Sequence, residues 1–533
     1  MLTFIPIILL VFFAILIQFL GRYRLSTGST WLVTAGSALL VWFLTIIFRV
    51  FLPEGYSIAT WSPLGIGSDL LLFQFIPGTW VFSFLLVSLL IVILFTDTIR
   101  LAQGDPLITW TGAMILTAVS LFSIASQTIL TVVITWSIID VVEIWILTRI
   151  NHQEKIQNSI VVEFSTRMIG TFLVICALVF SKTHDPGFSS FLLSENALGL
   201  ILIGVLLRLG VFPLHLPFMA QVPVRRSIGT LLRFVSPVSV FAFLSQLQPP
   251  KNFTPFLIVV FVFLMITTFY GAIKWLSARD ELSGRPFWIM SFSGLIIISF
   301  LRGQNESVLA LTMIMIVCGS ASFLLSLRGR THWIYMLILL LSSIGFPYTP
   351  LAPIWKGLAA LPLQILNPLI LISLGLNLFG LVRFAFRASD LEQNHERWML
   401  LFYWIGMALL FLVPWIAFVW RFKMAQEFID WYGPGICALG IGLFLFFDRI
   451  GLGRKILDKG ILNRFYPAIG IMGRFLCQLF QFEWFVNAFR SIYELLFRLS
   501  SFLTEILEGD GGLLWGLLFL ALVSSVVIGT GVP

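Results

Sequence analysis

The chain has 533 residues, of which 59% are hydrophobic and only 11% are charged, and its mean hydropathy is +1.01. A soluble protein carries about 25% charged residues, so this composition excludes an ordinary soluble domain. Apolar runs of about 18–22 residues recur along the whole length, and a helix of that length crosses a hydrocarbon core of about 30 Å. The composition therefore predicts an all-α polytopic membrane protein.

The apolar runs predict about sixteen transmembrane helices. The first run, LTFIPIILLVFFAILIQFL, has no basic region before it and no small-residue cleavage site after it. We therefore expect a retained span there and not a signal peptide. The predicted spans cover residues 2–20, 31–52, 79–96, 108–125, 129–148, 160–181, 197–212, 228–246, 253–273, 286–301, 306–327, 332–352, 366–386, 398–420, 433–448 and 513–531.

Basic residues are distributed unequally between the predicted loops. Loops after odd-numbered spans carry fifteen lysines and arginines, whereas loops after even-numbered spans carry six. Because basic residues favour the cytoplasmic side, we expect cytoplasmic odd loops and both chain termini on the outer side. The net charge of +8 is dispersed over these loops, which indicates membrane topology and not nucleic-acid binding. We predict a multi-pass protein of a bacterial plasma membrane or an equivalent energy-transducing membrane.

Residues 449–512 interrupt the apolar pattern with charges at helical spacing between aromatic and aliphatic residues. This pattern predicts one or two lateral amphipathic helices, lying along the cytoplasmic membrane face or against partner helices. An ordinary amphipathic linker is the alternative. The predicted division of the chain is helices 1–3 in 1–100, an antiporter-like core in 101–420, helix 15 in 421–448, the lateral segment in 449–512 and a membrane anchor in 513–533.

Seven ionisable residues are predicted to lie inside spans, where an unpaired charge costs several kcal/mol. They are the bases Arg167, Arg208, Arg233 and Lys356 and the acids Asp140, Glu143 and Glu163. Asp140 and Glu143 are three residues apart, which places both on one face of a helix. Such an inventory is typical of a proton or ion path, and static salt bridges between helices are the alternative.

Two of these bases adjoin helix-breaking residues. Arg208 is followed by the helix breaker Pro213 and then by His215. Lys356 is preceded by the helix breakers Gly345 and Pro347. Proline inside a span frees backbone carbonyls and bends the helix, and such carbonyls are tolerated at membrane depth against protein or a hydrated cavity. We therefore predict that spans 7 and 12 are broken helices beside an ion site, as in transporters. A kink made for packing is the alternative at either position alone.

Motifs for redox or nucleotide cofactors are absent from the sequence. It contains no GxGxxG, P-loop or CxxCH motif, and its four cysteines stand singly inside apolar segments. We expect no catalytic site, no metal and no cofactor in this chain. Any redox chemistry would then belong to partner subunits.

The broken spans resemble those of a known family, the antiporter-like subunits of proton-pumping NADH:quinone oxidoreductase (respiratory complex I). The same domain builds multisubunit cation/proton antiporters and membrane-bound hydrogenases. Arg208 lies five residues before Pro213-Leu214-His215, where the family has a lysine five residues before a similar turn. Gly345-Phe346-Pro347 followed by Lys356 matches the family's twelfth span. Two further stretches are similar to family motifs, GAIKWLSARD at 271–280 and STRMIGTF at 165–172.

The chain departs from the family at its charged positions. The family's fifth span carries Trp-Glu, but this chain has Trp136-Ser137, so that Asp140 or Glu143 would have to replace that acid. Arg208 stands in place of the lysine, and a guanidinium is effectively never deprotonated. Arg233 falls near the family's eighth-span histidine, and the eleventh span lacks the family's histidines and lysine.

The resemblance implies a membrane subunit, most like the largest distal one, of an ion-translocating complex that conducts protons or Na⁺ coupled to redox chemistry in partner subunits. The expected mechanism is that a neighbouring subunit shifts the Asp140/Glu143–Arg208 pairing and thereby the proton affinity of the path to Lys356. The implied path is Asp140, Glu143, Arg208, His215, Arg233 and Lys356, supported by Glu163 and Arg167. The implied partners are other membrane subunits, contacted through 449–512, and the lipid bilayer.

Two other functions stay open. The missing fifth-span glutamate, the missing eleventh-span histidines and the non-titrating Arg208 favour a structural, non-pumping subunit that extends or seals the membrane arm. A stand-alone transporter of an organic anion, with Arg208 binding a carboxylate, is the third function. The lateral helix argues against it, because a solitary transporter has little use for such a strap.

Overall fold

The fold is a bundle of long apolar helices, seen in a computed structural model. The described residues are 4–23, 26–58, 71–101, 106–150, 154–182, 195–211, 225–250, 252–327, 332–359, 366–385, 396–419 and 432–449, with Leu517, Leu520 and Ala521. The helices are α1 (Ile5–Arg22), α2 (Thr27–Phe48), α3 (Pro77–Thr96), α4 (Pro106–Ile124), α5 (Ile129–Ile150), α6 (Glu154–Lys182), α7 (Glu195–Arg208), α8 (Arg226–Leu244), α9 (Pro255–Ser277), α10 (Glu281–Leu301), α11 (Asn305–Leu324), α12 (His332–Ser343), α13 (Ile354–Ala359), α14 (Asn367–Ala385), α15 (Arg397–Val419) and α16 (Tyr432–Arg449).

These helices confirm an all-α polytopic membrane protein. Each of the first fifteen predicted spans contains a helix. In the part of the chain that the structure describes, eleven helices are long and apolar enough to cross a membrane, and Ile5–Gly21 and Ala197–Arg208 are shorter apolar helices. The count of sixteen spans is not confirmed. The lateral segment from residue 450 onwards lies outside the described residues, as does the last predicted span apart from the three isolated positions.

Four helices form the centre of the bundle. The apolar windows of α3, α8, α10 and α11 are almost completely buried, whereas less than half of the window is buried in α2, α6 and α15. A helix that is apolar on every side is stable where neighbours surround it. The central helices meet along α3–α8, α8–α11 and α10–α11. Polar groups on these four helices are therefore held inside the protein and not against lipid.

The chain divides into two compact units, residues 1–458 and 459–533. The first unit contains α1 to α16, and the described part of the second is limited to Leu517, Leu520 and Ala521. The predicted limits at residues 100, 420 and 448 fall inside the first unit and stay predictions.

A small hairpin interrupts the helical pattern between α2 and α3. Strands β1 (Glu54–Ile58) and β2 (Leu71–Phe75) pair antiparallel, with Glu54 opposite Phe75. The backbone N–H of Gln74 donates to the carbonyl of Ala125 (2.7 Å), which joins the hairpin to the turn between α4 and α5. Apolar run lengths gave no indication of this hairpin, because each strand has only five residues.

The predicted break in span 12 is present as two helices, α12 and α13, separated by turns. Gly345 has a φ of +72°, in the left-handed region, and it redirects the chain immediately after α12. The indole N–H of Trp355 donates to the carbonyls of Ile344 (3.1 Å) and Gly345 (3.0 Å). These bonds satisfy carbonyls that an intact helix would have used, as membrane depth requires. In span 7, α7 ends at Arg208 and Gly210 follows with a φ of +60°.

Replacing Gly345 by alanine is expected to lower the stability of the protein by about 1–3 kcal/mol, because a non-glycine residue is strained in this conformation. A Cβ there would also lie 2.8 Å from the carbonyl oxygen of Leu351 and 2.8 Å from a methyl group of Ile354. Thermal unfolding in detergent measures the effect. Gly375→Ala in α14 is the matched control: nothing lies within 4 Å of its Cβ position, and helix propensity predicts unchanged or higher stability. Equal melting temperatures for the native chain and Gly345→Ala would contradict this account.

Candidate functional site

The candidate site is a cluster of six charged side chains on four helices, which we call the acid–arginine cluster. Its members are Asp140 and Glu143 on α5, Glu163 and Arg167 on α6, Arg208 on α7 and Arg233 on α8. All six are buried, with at most 6% of any residue exposed. Three acids balance three arginines, so the cluster is neutral as a whole when every group is ionised. Pairing of this kind lowers the large penalty of placing charge at membrane depth.

Two glycines allow α6 and α7 to approach closely at this point. A Cβ added to Gly170 would lie 2.6 Å from the carbonyl oxygen of Gly204, and a Cβ added to Gly204 would lie 2.6 Å from the carbonyl oxygen of Gly170. Small residues at such contacts let two membrane helices pack backbone to backbone. The contact lies one helical turn before Arg208 and thereby brings its side chain against α6 and α5.

Asp140 and Arg208 form a two-point ion pair inside the protein. Arg208 donates from Nη1 to Oδ2 of Asp140 (2.6 Å) and from Nη2 to Oδ1 (3.0 Å). Its Nη1 also donates to the hydroxyl of Thr171 (2.7 Å), and its guanidinium lies 4.6 Å from the ring centroid of Trp136. Both residues of the pair are 2% exposed. A planar guanidinium suits this arrangement, since one side chain makes parallel bonds and stacks on an aromatic ring.

Arg167 joins the remaining acids. It donates from Nη1 to Glu143 and from Nη2 to Glu163, which precedes it by one turn on α6. Its Nη1 also lies 3.8 Å from Oδ1 of Asp140, and Nη1 of Arg233 lies 4.0 Å from Oε1 of Glu163. The six charges therefore form one continuous network from α5 to α8.

One oxygen of each glutamate in this network lacks a hydrogen-bond partner within the described residues. These atoms are Oε1 of Glu143 and Oε2 of Glu163, both buried. A small cleft, with room for about one water molecule, lies beside them, lined by the two glutamates, Asp140, Arg167 and four apolar side chains. A carboxylate oxygen without a donor can accept a proton or a water molecule. The cleft is therefore the place in the cluster where a proton could be bound or released.

A second charged pair lies at the broken helix. Nζ of Lys356 on α13 donates to Oε2 of Glu306 on α11 (3.0 Å), and the two side chains are 23% and 27% exposed. Arg302 fixes the end of α13 by donating from Nη1 to the carbonyls of Gly357 (3.0 Å) and Leu358 (2.9 Å). This pair is therefore more accessible than the acid–arginine cluster and is carried by a short helix held at its end.

Hydroxyl groups, and no charged side chains, line the middle of α11. From Ser307 to Leu324 this helix carries no Asp, Glu, His, Lys or Arg. Within the described residues, six serines of the central helices α3, α8, α10 and α11 are buried with no hydrogen-bond partner for the hydroxyl oxygen. They are Ser83, Ser227, Ser236, Ser293, Ser320 and Ser322. Each leaves hydrogen-bonding capacity of the kind that buried water molecules use.

The structure brings most, but not all, of the predicted site residues together. Seven of the predicted side chains are placed, six in the acid–arginine cluster and Lys356 in the pair at the break, with Gly345 and Pro347 in the turns between α12 and α13. Pro213 and His215 lie outside the described residues. The expected joint pairing of Asp140 and Glu143 with Arg208 differs in detail, because Glu143 pairs with Arg167 and Asp140 alone holds Arg208 in two-point geometry.

Sequence reasoning missed Glu306 and Arg302. Arg302 lies in the predicted loop between spans 10 and 11, and Glu306 is the first residue of predicted span 11. Arg302 is nevertheless buried, and Glu306 is the carboxylate that meets Lys356. The signal for Glu306 is Lys356 itself, since a basic residue near a broken span is expected to have an acidic partner.

Comparison with protein-family models and with curated proteins finds no match. Solved structures do match. A chain of the Mrp complex from Dietzia sp. DQ12-45-1b is 14% identical with a TM-score of 0.69, over all of this chain and 63% of that one. A chain of the membrane-bound sulfane sulfur reductase, an archaeal respiratory membrane complex, is 15% identical with a TM-score of 0.64, over 99% of this chain and 100% of that one.

A chain of respiratory complex I from Thermus thermophilus is 13% identical with a TM-score of 0.58, over 78% of this chain and 99% of that one. At such low identity these likenesses concern the fold. They confirm the fold that the resemblance implied. The chain is an integral multi-pass membrane protein whose fold is similar to that of chains in these membrane complexes.

Proposed function

We propose that this chain is an antiporter-like membrane subunit of a multisubunit ion-translocating complex, and that it moves protons coupled to redox chemistry in partner subunits. The chain itself would hold no cofactor, and residues 449–512 would contact neighbouring membrane subunits. The observation that carries the proposal is the cleft of the acid–arginine cluster. There Glu143 and Glu163 each keep one buried carboxylate oxygen without a hydrogen-bond partner in the described residues.

The proposed mechanism assigns different roles to the acids and the arginines. Because a guanidinium stays protonated, Arg167, Arg208 and Arg233 act as fixed positive charges. The glutamates of the cleft are the groups that take up and release the proton. A shift of Arg167 between Glu143 and Glu163 would change which carboxylate is compensated and hence which one is protonated. This is an electrostatic switch that needs only side-chain movement.

Transfer beyond the cluster would use hydroxyls and water. The family that this chain resembles has titratable side chains on the eleventh span, whereas α11 in this chain has serines. The unsatisfied hydroxyls of the central helices support a water-filled route toward Lys356, where the pair with Glu306 provides a more accessible end. Na⁺ is the second candidate ion for the same route.

The test is proton pumping by the purified complex reconstituted in vesicles, measured per turnover with a pH-sensitive dye. We expect Glu143→Gln and Glu163→Gln each to lose most of the pumping, because an amide cannot carry the proton. Glu396→Gln is the matched control, since Glu396 is an exposed acid at the start of α15. Full pumping by both cluster variants in an assembled complex would reject a proton path through this cleft.

One observation favours the second candidate function, a structural subunit that does not pump. The two-point pair of Asp140 with Arg208, closed by Thr171 and Trp136, has the geometry of a static clamp between α5, α6 and α7. In that case the cluster would hold helices together and the chain would extend or seal a membrane arm. Loss of assembly, with normal pumping in whatever complex still forms, is the outcome expected for this function.

A further inference from the structure

A second group of buried charges lies where α3 ends and where α8 and α10 begin. We call it the basic cluster and define it by six residues. They are Asp97 and Arg100 in the 3-10 turn after α3, Arg225 and Arg226 at the start of α8, and Glu281 and Arg285 at the start of α10. Four arginines face two acids, so the basic cluster carries an excess of two positive charges. It thereby differs from the acid–arginine cluster, which is neutral.

Both acids of the basic cluster already bind arginines. Oδ2 of Asp97 lies 3.1 Å from Nη2 of Arg225 and also accepts a hydrogen bond from the indole of Trp110 (3.0 Å). Oε1 of Glu281 accepts from Nη1 of Arg226 (2.9 Å). The two remaining arginines, Arg100 and Arg285, therefore have no carboxylate as a hydrogen-bond partner within the described residues.

Five nitrogen atoms of the basic cluster are buried and lack a hydrogen-bond acceptor among the residues that the structure describes. They are Nη1 of Arg100, Nε and Nη1 of Arg225, and Nε and Nη2 of Arg285. Arg100 does reach the hydroxyl of Ser326 and the carbonyl of Leu324 through Nη2. The guanidinium of Arg285 has an aromatic contact instead, 5.4 Å from the ring centroid of Phe323. Leaving buried charged donors without acceptors is costly, so an acceptor bound here would stabilise the folded protein.

We infer that the basic cluster is a binding site for an oxyanion of the phosphate type. A tetrahedral anion offers several acceptor oxygens to guanidinium donors, which bind phosphate through parallel hydrogen bonds. Its negative charge would offset the excess of two positive charges. The N-terminus of α8 opens at the cluster without a side-chain cap, and helix N-termini favour anions. The N-terminus of α10 is already capped by the carboxylate of Asp280. The hydroxyl of Ser227, in the first turn of α8, is a further buried group with no hydrogen-bond partner in the described part of the chain.

The position of the basic cluster indicates how the anion would enter. The side chains of Arg225 and Arg226 are 12% and 14% exposed, which gives access at the helix ends. The helices concerned, α3, α8 and α10, form the centre of the bundle and not its lipid-facing rim. Free phosphate from the aqueous side is therefore favoured over a lipid headgroup, although the phosphate chemistry is shared. Bound phosphate would tie together the ends of three central helices.

The test measures the thermal stability of the purified complex that contains this chain, as phosphate is titrated. Sodium chloride at the same ionic strength corrects for screening. We expect phosphate to raise the melting temperature by a few degrees and to saturate, because a ligand that binds only the folded state stabilises it. Arg285→Gln should abolish this rise. Arg279→Gln should keep it, since Arg279 is exposed and lies six residues away on the same stretch of chain.

Two further arms keep the proposal open to rejection. If Arg285→Gln does not fold, Arg285→Lys retains the charge but loses the planar donors, and it should need a higher phosphate concentration for the same rise. Nanodiscs of phosphatidylglycerol and of phosphatidylcholine, without added phosphate, separate the sources. Stabilisation by phosphatidylglycerol that Arg285→Gln removes assigns the site to a headgroup phosphate. Equal melting temperatures in phosphate and chloride, with no effect of phosphatidylglycerol, would overturn the proposal, as would an unchanged phosphate effect in Arg285→Gln.

Discussion

Replacing Arg208 by alanine is expected to destabilise the protein by about 3–5 kcal/mol, because it leaves the carboxylate of Asp140 buried without its two-point partner. Asp140 is 2% exposed, and the nearest other guanidinium nitrogen, on Arg167, lies 3.8 Å away. Thr171 would lose the donor to its hydroxyl at the same time. A denaturant titration in mixed micelles, supported by melting temperatures, measures the loss.

The double variant Arg208→Met with Asp140→Leu separates pairing from packing. Both charges leave together, and apolar residues of similar volume can replace a buried pair at little or no loss of stability. We expect the double variant to recover most of the stability that Arg208→Ala loses. Arg149→Ala, at the exposed end of α5, is the control and should have no more than a small effect. A loss for Arg208→Ala no larger than that of the control would mean that the pair does not hold the bundle.

The transmembrane architecture could be predicted from the sequence because it depends on local composition. A helix such as α3 has twenty residues without a charged side chain, and that length suffices to identify it. The break between α12 and α13 was also predictable, since Gly345 and Pro347 exclude a regular helix there. The hairpin of β1 and β2 could not be predicted, because its strands are short and hydropathy does not indicate which strands pair.

The members of the acid–arginine cluster could be predicted, but their pairing could not. Spacing places Asp140 and Glu143 on one face of α5, yet it says nothing about how α6 and α7 are rotated against that face. The contact of Gly170 with Gly204 sets this rotation, and it depends on two positions 34 residues apart. That contact determines which arginine pairs with which acid. The pairing of Glu143 with Arg167, and not with Arg208 as predicted, was therefore seen only in the structure.

The burial of charged residues near the ends of spans could not be predicted from the sequence. Arg100, Arg285 and Arg302 were assigned to loops by the length of the apolar runs, and all three are buried. They lie at helix ends, where unsatisfied backbone carbonyls accept hydrogen bonds from long side chains. Arg302 does this at α13 and Arg100 at α11. A positive-inside count treats such residues as topology signals and cannot distinguish them from solvated loop residues.

Replacing Lys356 by alanine is expected to abolish most proton pumping per turnover while leaving the complex assembled. Lys356 is carried by the short helix α13 and is partly exposed, so its removal leaves a smaller buried-charge penalty than Arg208→Ala. Its pair with Glu306 is the accessible end of the proposed route, and the variant leaves that acid without this partner. Proton uptake by vesicles containing the purified complex, normalised to turnover, measures the effect.

Lys356→Arg decides whether this end must titrate or must only carry a positive charge. Arginine keeps a cation opposite Glu306 but is effectively never deprotonated, so a proton relay fails in this variant whereas a fixed-charge gate still works. Lys274→Ala, a lysine at the end of α9 outside the proposed route, is the control for lost charge. If Lys356→Ala pumps as the native complex does, the route to this residue is wrong and the structural function is favoured. If it fails and Lys356→Arg restores pumping, Lys356 acts as a gate, and the protons are carried by Glu143, Glu163 and water.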